Sequence, residues 1–490
     1  MRLFSLLLAV LPFADALALE LPHIFGDHMV LQAELPVPVW GTAEAGETVT
    51  VEFSGQRSST TADAAGRWRV DLAPLPASAE PRDLVVSSPN RKSETQNRKF
   101  TDVLVGEVWL CSGQSNMDKP LGEKKGQQPV FNAEEEIRTA TFPQIRLFVV
   151  KRVKSNTPAS DVDGTWVMCS PETIDATKFS AAGYFFGRRL HQELKQPVGL
   201  VHSCWGGTRI EPWTAPEGFR AVPALAAYTD ACTRPGEQIE GTTPAELYNP
   251  MIRPLAPFAL RGALWYQGES NIIGVDDGAR YCDKMLALVR GWRAVWGREL
   301  SFYFVQVAPH LYHVVRPGTV VSPECTPRLW EAQAAAARLL PRSGMIVTTD
   351  LVDDLFDIHP RNKKDVGERL ARLALAGDYG RTDLATSGPV FDHMEIAGAR
   401  AILHFTHATG LRASDDKPLT WFTVAGADGV FWPAIATIES ESIAVSSPRV
   451  AAPVVVRFAW DEAARPNLTN AAGLPAQPFR TDDSFRTTRP

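Results

Sequence analysis

The chain has 490 residues, a net charge of -6, 44% hydrophobic residues and 22% charged ones. That is the make-up of an ordinary folded protein, and at roughly 100–200 residues per domain it allows two to four of them. With no Lys/Arg cluster, neither a nucleic-acid partner nor an anionic-membrane partner is expected.

At the N-terminus, Arg2 precedes the apolar run Leu3 to Phe13, and Ala16-Leu17-Ala18 follows. Charge, apolar core and small-x-small site in that order make a secretory signal. The apolar core is too short to span a bilayer, and no later stretch is long enough. The mature protein is therefore expected to begin near Leu19, to be secreted or periplasmic, and to have no membrane span. From Leu19 to Asp102, the short runs Val37–Gly41, Thr48–Phe53 and Arg67–Leu72 alternate with period two, and Gly/Asp/Ala turns such as Ala62–Gly66 separate them. They predict a small β-sandwich over 19–102.

The rhythm then changes. Strand-like runs at Val108–Cys111, Ile145–Val150, Val198–Ser203, Gly262–Tyr266, Ser301–Val307 and Met345–Thr349 alternate with helical patterns. The helical stretches are Ala181–Leu194, a shorter one near Ala245–Leu255, Ala279–Trp296, Arg328–Leu340 and Val366–Ala376. This alternation predicts an α/β domain over 103–382, with a parallel sheet covered on both faces. Beyond Asp383 the β-type runs return (Ala401–Phe405, Trp421–Ala425, Val454–Phe458), so 383–490 is read as a second β domain or an extension. Cys111, Cys169, Cys204, Cys232, Cys282 and Cys325 lie far apart without a C-x-x-C pair, so zinc is not expected. Cys111 and Cys204 read as small buried hydrophobes.

In open α/β sheets ligands bind outside the carboxyl ends of the strands. Four strand ends here carry Gly113-Gln114-Ser115-Asn116, Trp205-Gly206-Gly207-Thr208, Gln267-Gly268-Glu269-Ser270-Asn271 and an acidic loop ending in Asp357-Ile358-His359-Pro360. No dinucleotide or P-loop glycine pattern occurs among them, and no cofactor is expected. Each segment alone reads as an ordinary turn; all four on one sheet edge read as a site for nucleophilic acyl transfer. Ser115 needs a base to take its proton, which His359 can do near neutral pH. The imidazole needs a carboxylate to fix its tautomer: Asp357 is nearest, with Asp353 and Asp354 in reserve. The N–H groups of Ser115 and Gly206, and a side-chain amide from Gln267 or Asn271, are candidate oxyanion donors. Gln114, Asn116 and Glu269, beside them, are candidate substrate-binding groups. The other histidines read as structural or exposed; His310 and His313 lack an accompanying carboxylate motif, and no metal is expected.

Those four segments, in that order, resemble the sialate O-acetylesterase family of SGNH hydrolases. The tail Trp460–Thr481, with Asn467-Leu468 and Gly473–Arg480, is also similar to it. The resemblance covers nearly the whole mature chain. It implies a three-layer αβα hydrolase domain flanked by β domains, and serine-dependent, cofactor-free removal of acetyl groups from sugar hydroxyls, with an acetylated carbohydrate as substrate. It implies Ser115 as nucleophile and His359 as base, with Gly206 and the Gln267–Asn271 segment in the oxyanion hole. Two features depart from the family pattern. Such enzymes often space the last pair as Asp-x-x-His, whereas Phe356 stands three before His359 and Asp357 only two before it. The loop Leu351–Leu355 is also longer than expected and lacks a glycine.

Other readings fit less. An α/β-hydrolase lipase needs Gly-x-Ser-x-Gly, and Met117 stands at the second glycine. A glycosidase could use Glu107 with Glu269, but that leaves Ser115 and His359 unexplained. A non-catalytic carbohydrate-binding protein would show sugar affinity without turnover. Sialic acid, xylan and other plant or algal glycans are the candidate carriers of the acetyl group, with Asp118–Arg138 and Arg209–Gly241 as the loops that would choose.

Overall fold

In the computed structural model, which describes residues 19–88, 97–275, 278, 280–315 and 321–482, the alternating N-terminal runs form strands. The expected export signal, residues 1–18, lies outside the described residues. The strands are β1 (Val30–Gln32), β2 (Val37–Thr42), β3 (Thr48–Phe53), β4 (Gln56–Thr61), β5 (Arg67–Leu72) and β6 (Ser78–Ser87). In β5, Trp68, Val70 and Leu72 are buried while Arg67, Arg69 and Asp71 are exposed. A strand wet on one face shows this alternation. β2 pairs with β5, and β3 pairs antiparallel with β4 and β6, so two small sheets share an apolar interior.

The 16-residue β7 (Arg98–Gly113) belongs to two sheets. Its first half pairs with β6 and, in parallel, with β1; its second half is the centre of the main sheet. The expected boundary at 102/103 falls inside this strand. Around it stand β8 (Phe142–Val149), β9 (Trp166–Cys169), β10 (Val198–Cys204), β11 (Gly262–Tyr266), β12 (Ser301–Val305) and β13 (Ser343–Ile346), in the order β13-β12-β11-β7-β10-β8-β9. All neighbours are parallel except β9 at the edge. The chain leaves β7 for β8 and β9, returns to β10, then crosses to β11 on the other side. The direction of winding therefore reverses at β7, which places a crevice at that strand's carboxyl end.

Alternation along β7 assigns the helices to two layers. Val108 and Leu110 pack with residues of helices Arg280–Trp296 and Cys325–Leu339, while Trp109 and Cys111 pack with those of Ala181–Leu194 and Lys363–Tyr379. This is the expected three-layer αβα arrangement. Ser180 and Asn362 cap the starts of the latter two helices by accepting from backbone N–H groups.

Two elements differ from the sequence reading. The helix expected near Ala245–Leu255 is only Tyr248–Met251 and a 3-10 turn Arg253–Leu255, broken up by Pro250 and Pro254. The strand expected at Met345–Thr349 ends at Ile346, where its pairing to β12 stops. At the C-terminal end, β14 (Val390–Ala397) and β15 (Arg400–Thr406) form a hairpin that continues through Ser442–Ser446 to Ile435–Glu439; Phe422–Ala425 and Val455–Phe458 pair in another sheet. None of the six cysteines forms a disulfide. Among the described residues no helix is long and apolar enough to cross a membrane.

Candidate active site

The chain turns sharply after β7, and Gly113 makes the turn possible. Its φ is +138°, and a Cβ there would lie 2.2 Å from the carbonyl oxygen of Tyr266 at the end of β11. That carbonyl accepts from the Gln114 N–H at 3.0 Å, while the Gly113 carbonyl accepts from the Trp205 N–H at 3.2 Å. The turn is thus held from β11 on one side and from the end of β10 on the other. Ser115 stands at its crest, partly exposed between the buried Gln114 and Asn116.

The acidic loop after β13 brings His359 over this crest. Its Nε2 lies 2.9 Å from Ser115 Oγ, and Gln127 Nε2 lies 3.5 Å from the same nitrogen. Asp357 Oδ1 accepts from the His359 backbone N–H at 2.8 Å and stands 3.5 Å from ring Nδ1. The other two acids are used within the loop: Asp354 Oδ1 accepts from the Phe356 N–H at 2.8 Å and Asp353 Oδ1 from the Arg361 N–H at 3.3 Å. Asp357 is therefore the one of the three whose carboxylate faces the ring, although 3.5 Å is a looser contact than a hydrogen bond. Catalytic contacts of this kind often tighten only when substrate is bound.

Gly206 comes against the same serine. A Cβ on it would meet Ser115 Cβ at 3.2 Å, so its backbone is drawn up to the Ser115 turn. Among the described residues, the N–H groups of Ser115 and Gly206 have no protein acceptor. They are the donors available to a developing oxyanion.

The amides are placed differently from the sequence reading: Gln267, Asn271, Asn116 and Glu269 are engaged in a network that supports the site. Gln267 is fully buried; its Nε2 lies 2.7 Å from Asn271 Oδ1, 3.1 Å from Gln114 Oε1 and 3.2 Å from the Thr208 carbonyl. Asn271, equally buried, directs its Nδ2 at Glu211 Oε2 at 3.3 Å and accepts from the Ile210 N–H at 3.1 Å. Gln267 has no donor to spare for an oxyanion, and Asn271 turns its amide toward Glu211; both brace the loop after β11 against the loop after β10. Asn116 and Glu269 are not substrate-facing either. Asn116 Nδ2 donates to Glu269 and, at 2.9 Å, to the Ile358 carbonyl, so it ties the Ser115 turn to the His359 loop. Gln114 is the exception. Its Oε1 takes Gln267 Nε2 at 3.1 Å and the Ser270 N–H at 3.2 Å, while its Nε2 has no protein partner among the described residues.

A residue the sequence reading missed completes this network. Lys363 Nζ donates to Asn116 Oδ1 at 2.7 Å and sits 5.0 Å from the Tyr266 ring, wholly buried. Burial pushes it down to about 7, and burial also raises Glu269. His359 is lowered to about 4, first by burial and then by the positive charge of Lys363, with Asp357 opposing. One signal was legible. Lys363 stands in phase with Val366, Gly367, Leu370, Ala371 and Ala374 on the buried stripe of its helix, where a lysine calls for a partner. The glycosidase alternative fails on distance. Glu107 is six residues before Gly113 in one strand, about 20 Å from the crevice, and is buried against Arg261 Nε at 2.8 Å and Tyr379 OH at 2.8 Å.

Comparison with known proteins identifies the family. The model of the family described as carbohydrate esterase, sialic acid-specific acetylesterase, matches residues 105–376. The sialate O-acetylesterase of Rattus norvegicus is 30% identical over 436 residues, which is 78% of this chain and 77% of that protein. The one from Homo sapiens is 29% identical over 97% of this chain and 95% of its own length. The crystal structure of a carbohydrate acetylesterase from Xanthomonas citri superposes with a TM-score of 0.83 at 35% identity, covering 95% of this chain and 100% of that one.

Proposed function

Since the chain belongs to the sialic acid-specific acetylesterase family of carbohydrate esterases and is a carboxylic ester hydrolase, we propose that it removes O-acetyl groups from sugars by a serine-dependent mechanism. The contact of 2.9 Å between Ser115 Oγ and His359 Nε2 carries this reading. Ser115 Oγ attacks the acetyl carbonyl as His359 Nε2 takes its proton. The N–H groups of Ser115 and Gly206, with Gln114 Nε2 as the side-chain donor, hold the oxyanion. On collapse the C–O bond to the sugar breaks and His359 returns the proton to the leaving hydroxyl. Water, deprotonated by the same imidazole, then releases acetate and restores Ser115. Asp357 orients the ring and offsets its positive charge in both halves.

The preferred sugar, in this reading, is acidic. A cleft lined by Asp118, two residues after Asn116, and Cys204, directly before Trp205, also carries Lys124, Lys125, Arg152 and Lys178. Lys124 and Arg152 pair with Asp118, and Lys178 with Asp175, whereas Lys125 has no ion-pair partner among the described residues. With Lys151 the lining holds five lysine or arginine side chains against two carboxylates, Asp118 and Glu123, and this excess suits the carboxylate of an O-acetylated sialic acid. Acetate release should be measured from O-acetylated sialic acid and from acetylated xylan, with Ser115→Ala as control. We expect faster release from the sialic acid ester and none above background from the variant. Faster release from xylan would remove the acidic-sugar assignment, and sugar binding without acetate release would remove the enzymatic one.

A further inference from the structure

The hairpin of β14 and β15 carries a cluster that the esterase chemistry does not use. His393 and His404 sit directly opposite each other on the two antiparallel strands, with ring centroids 4.4 Å apart and planes at 9°. Glu395, two residues beyond His393, points to the same face by the period of a strand. Its Oε1 lies 3.7 Å from His393 Nε2 and 4.0 Å from His404 Nε2. One ligand atom from each of the three falls within 4.8 Å of the others. We propose that His393, Glu395 and His404 bind a divalent transition-metal ion of the zinc class.

Three observations support this beyond proximity. First, the spacing is close to what an ion requires: two atoms each about 2.1 Å from a tetrahedral zinc lie about 3.4 Å apart, so small side-chain rotations close the gap. Second, His393 Nδ1 lies 2.8 Å from Asp392 Oδ2. A carboxylate on the far nitrogen fixes the tautomer and leaves the Nε2 lone pair for the metal, as the outer carboxylates of zinc histidines do. Third, His404 Nε2 is shielded from water and has no hydrogen-bond partner. A buried ring nitrogen aimed at a carboxylate and left unpaired is costly unless something occupies the space between them. Two imidazoles and one carboxylate favour zinc, copper or nickel over calcium and magnesium, which take oxygen ligands. Since the ligands come from two strands, the ion would also staple β14, an edge strand, to β15.

The test is equilibrium dialysis of untagged full-length protein against zinc chloride in chelator-free buffer. We expect about one zinc bound per chain. His393→Ala and His404→Ala should each weaken binding by well over tenfold, and Asp392→Asn by about tenfold. Acetylesterase activity should be unchanged in all three, which also shows that they fold. Absence of bound zinc in the wild type would overturn the proposal. So would a His393→Ala/His404→Ala double variant that is active and binds zinc like the wild type.

Discussion

His359 is held neutral by its surroundings. Burial and the Lys363 charge lower it from 6.5 to about 4, so the imidazole remains a usable base well below the range of an ordinary histidine. The acid limb of kcat/KM against pH should therefore fall near 4 rather than near 6.5. Lys363→Met removes a positive neighbour, which raises the His359 pKa and moves that limb to higher pH; Lys363→Arg should leave it nearer the wild type. A limb that stays fixed when Lys363 loses its charge would show that the lysine does not act on His359. In the proposed mechanism Asp357 acts on the ring through orientation. Asp357→Asn should lower kcat by on the order of 10⁴ with the fold intact, whereas Asp353→Asn and Asp354→Asn, whose oxygens serve backbone N–H groups, should stay within about tenfold. Steady-state assays of the three variants, each checked by circular dichroism, decide this, and near-wild-type activity in Asp357→Asn would reject the acid.

At the scale of elements, the decisive feature is that four loops leave one edge of one sheet. That much was legible, because apolar strand runs ending in small polar residues mark carboxyl ends whatever the remaining contacts are. The fate of the side chains in those loops was not legible. Gln267, Asn271, Asn116 and Glu269 look like site residues in sequence, but whether an amide faces the crevice or the interior depends on how neighbouring loops close over it. Here Thr208, Glu211 and Lys363, all distant in sequence from their partners, bond Gln267, Asn271 and Asn116 in turn, and Asn116 bonds Glu269. The Ser115 turn itself rests on Gly113. Gly113→Ala would place a Cβ 2.2 Å from the Tyr266 carbonyl at a φ of +138°. A loss of about 3 kcal/mol or more is expected, visible as a lower denaturant midpoint together with lost activity. An unchanged midpoint would mean that the turn is not constrained as described.

For the whole molecule, the change in pattern near Asp102 suggested separate units, yet β7 runs through it. A strand shared by two sheets leaves no local signal, since each half satisfies the period of its own sheet. Gln32 from the leading β segment donates to Glu107 at 2.9 Å and accepts from the Val108 N–H at 2.8 Å, deep at the foot of the hydrolase sheet. A fragment of residues 103–382 loses this support and should aggregate, or unfold at a clearly lower temperature than the full chain; equal midpoints in calorimetry would contradict the shared strand. In the proposed mechanism these connected sheets together present Ser115 at the carboxyl end of the central strand. The most direct test of that serine is to treat the protein with a serine-reactive phosphonate and locate the adduct by peptide mass spectrometry while following acetate release. One adduct on Ser115, rising in step with the loss of activity, is expected, and Ser115→Ala should be unlabelled with kcat reduced by on the order of 10⁶. Full inactivation with the adduct on another residue, or sustained turnover by Ser115→Ala, would contradict it.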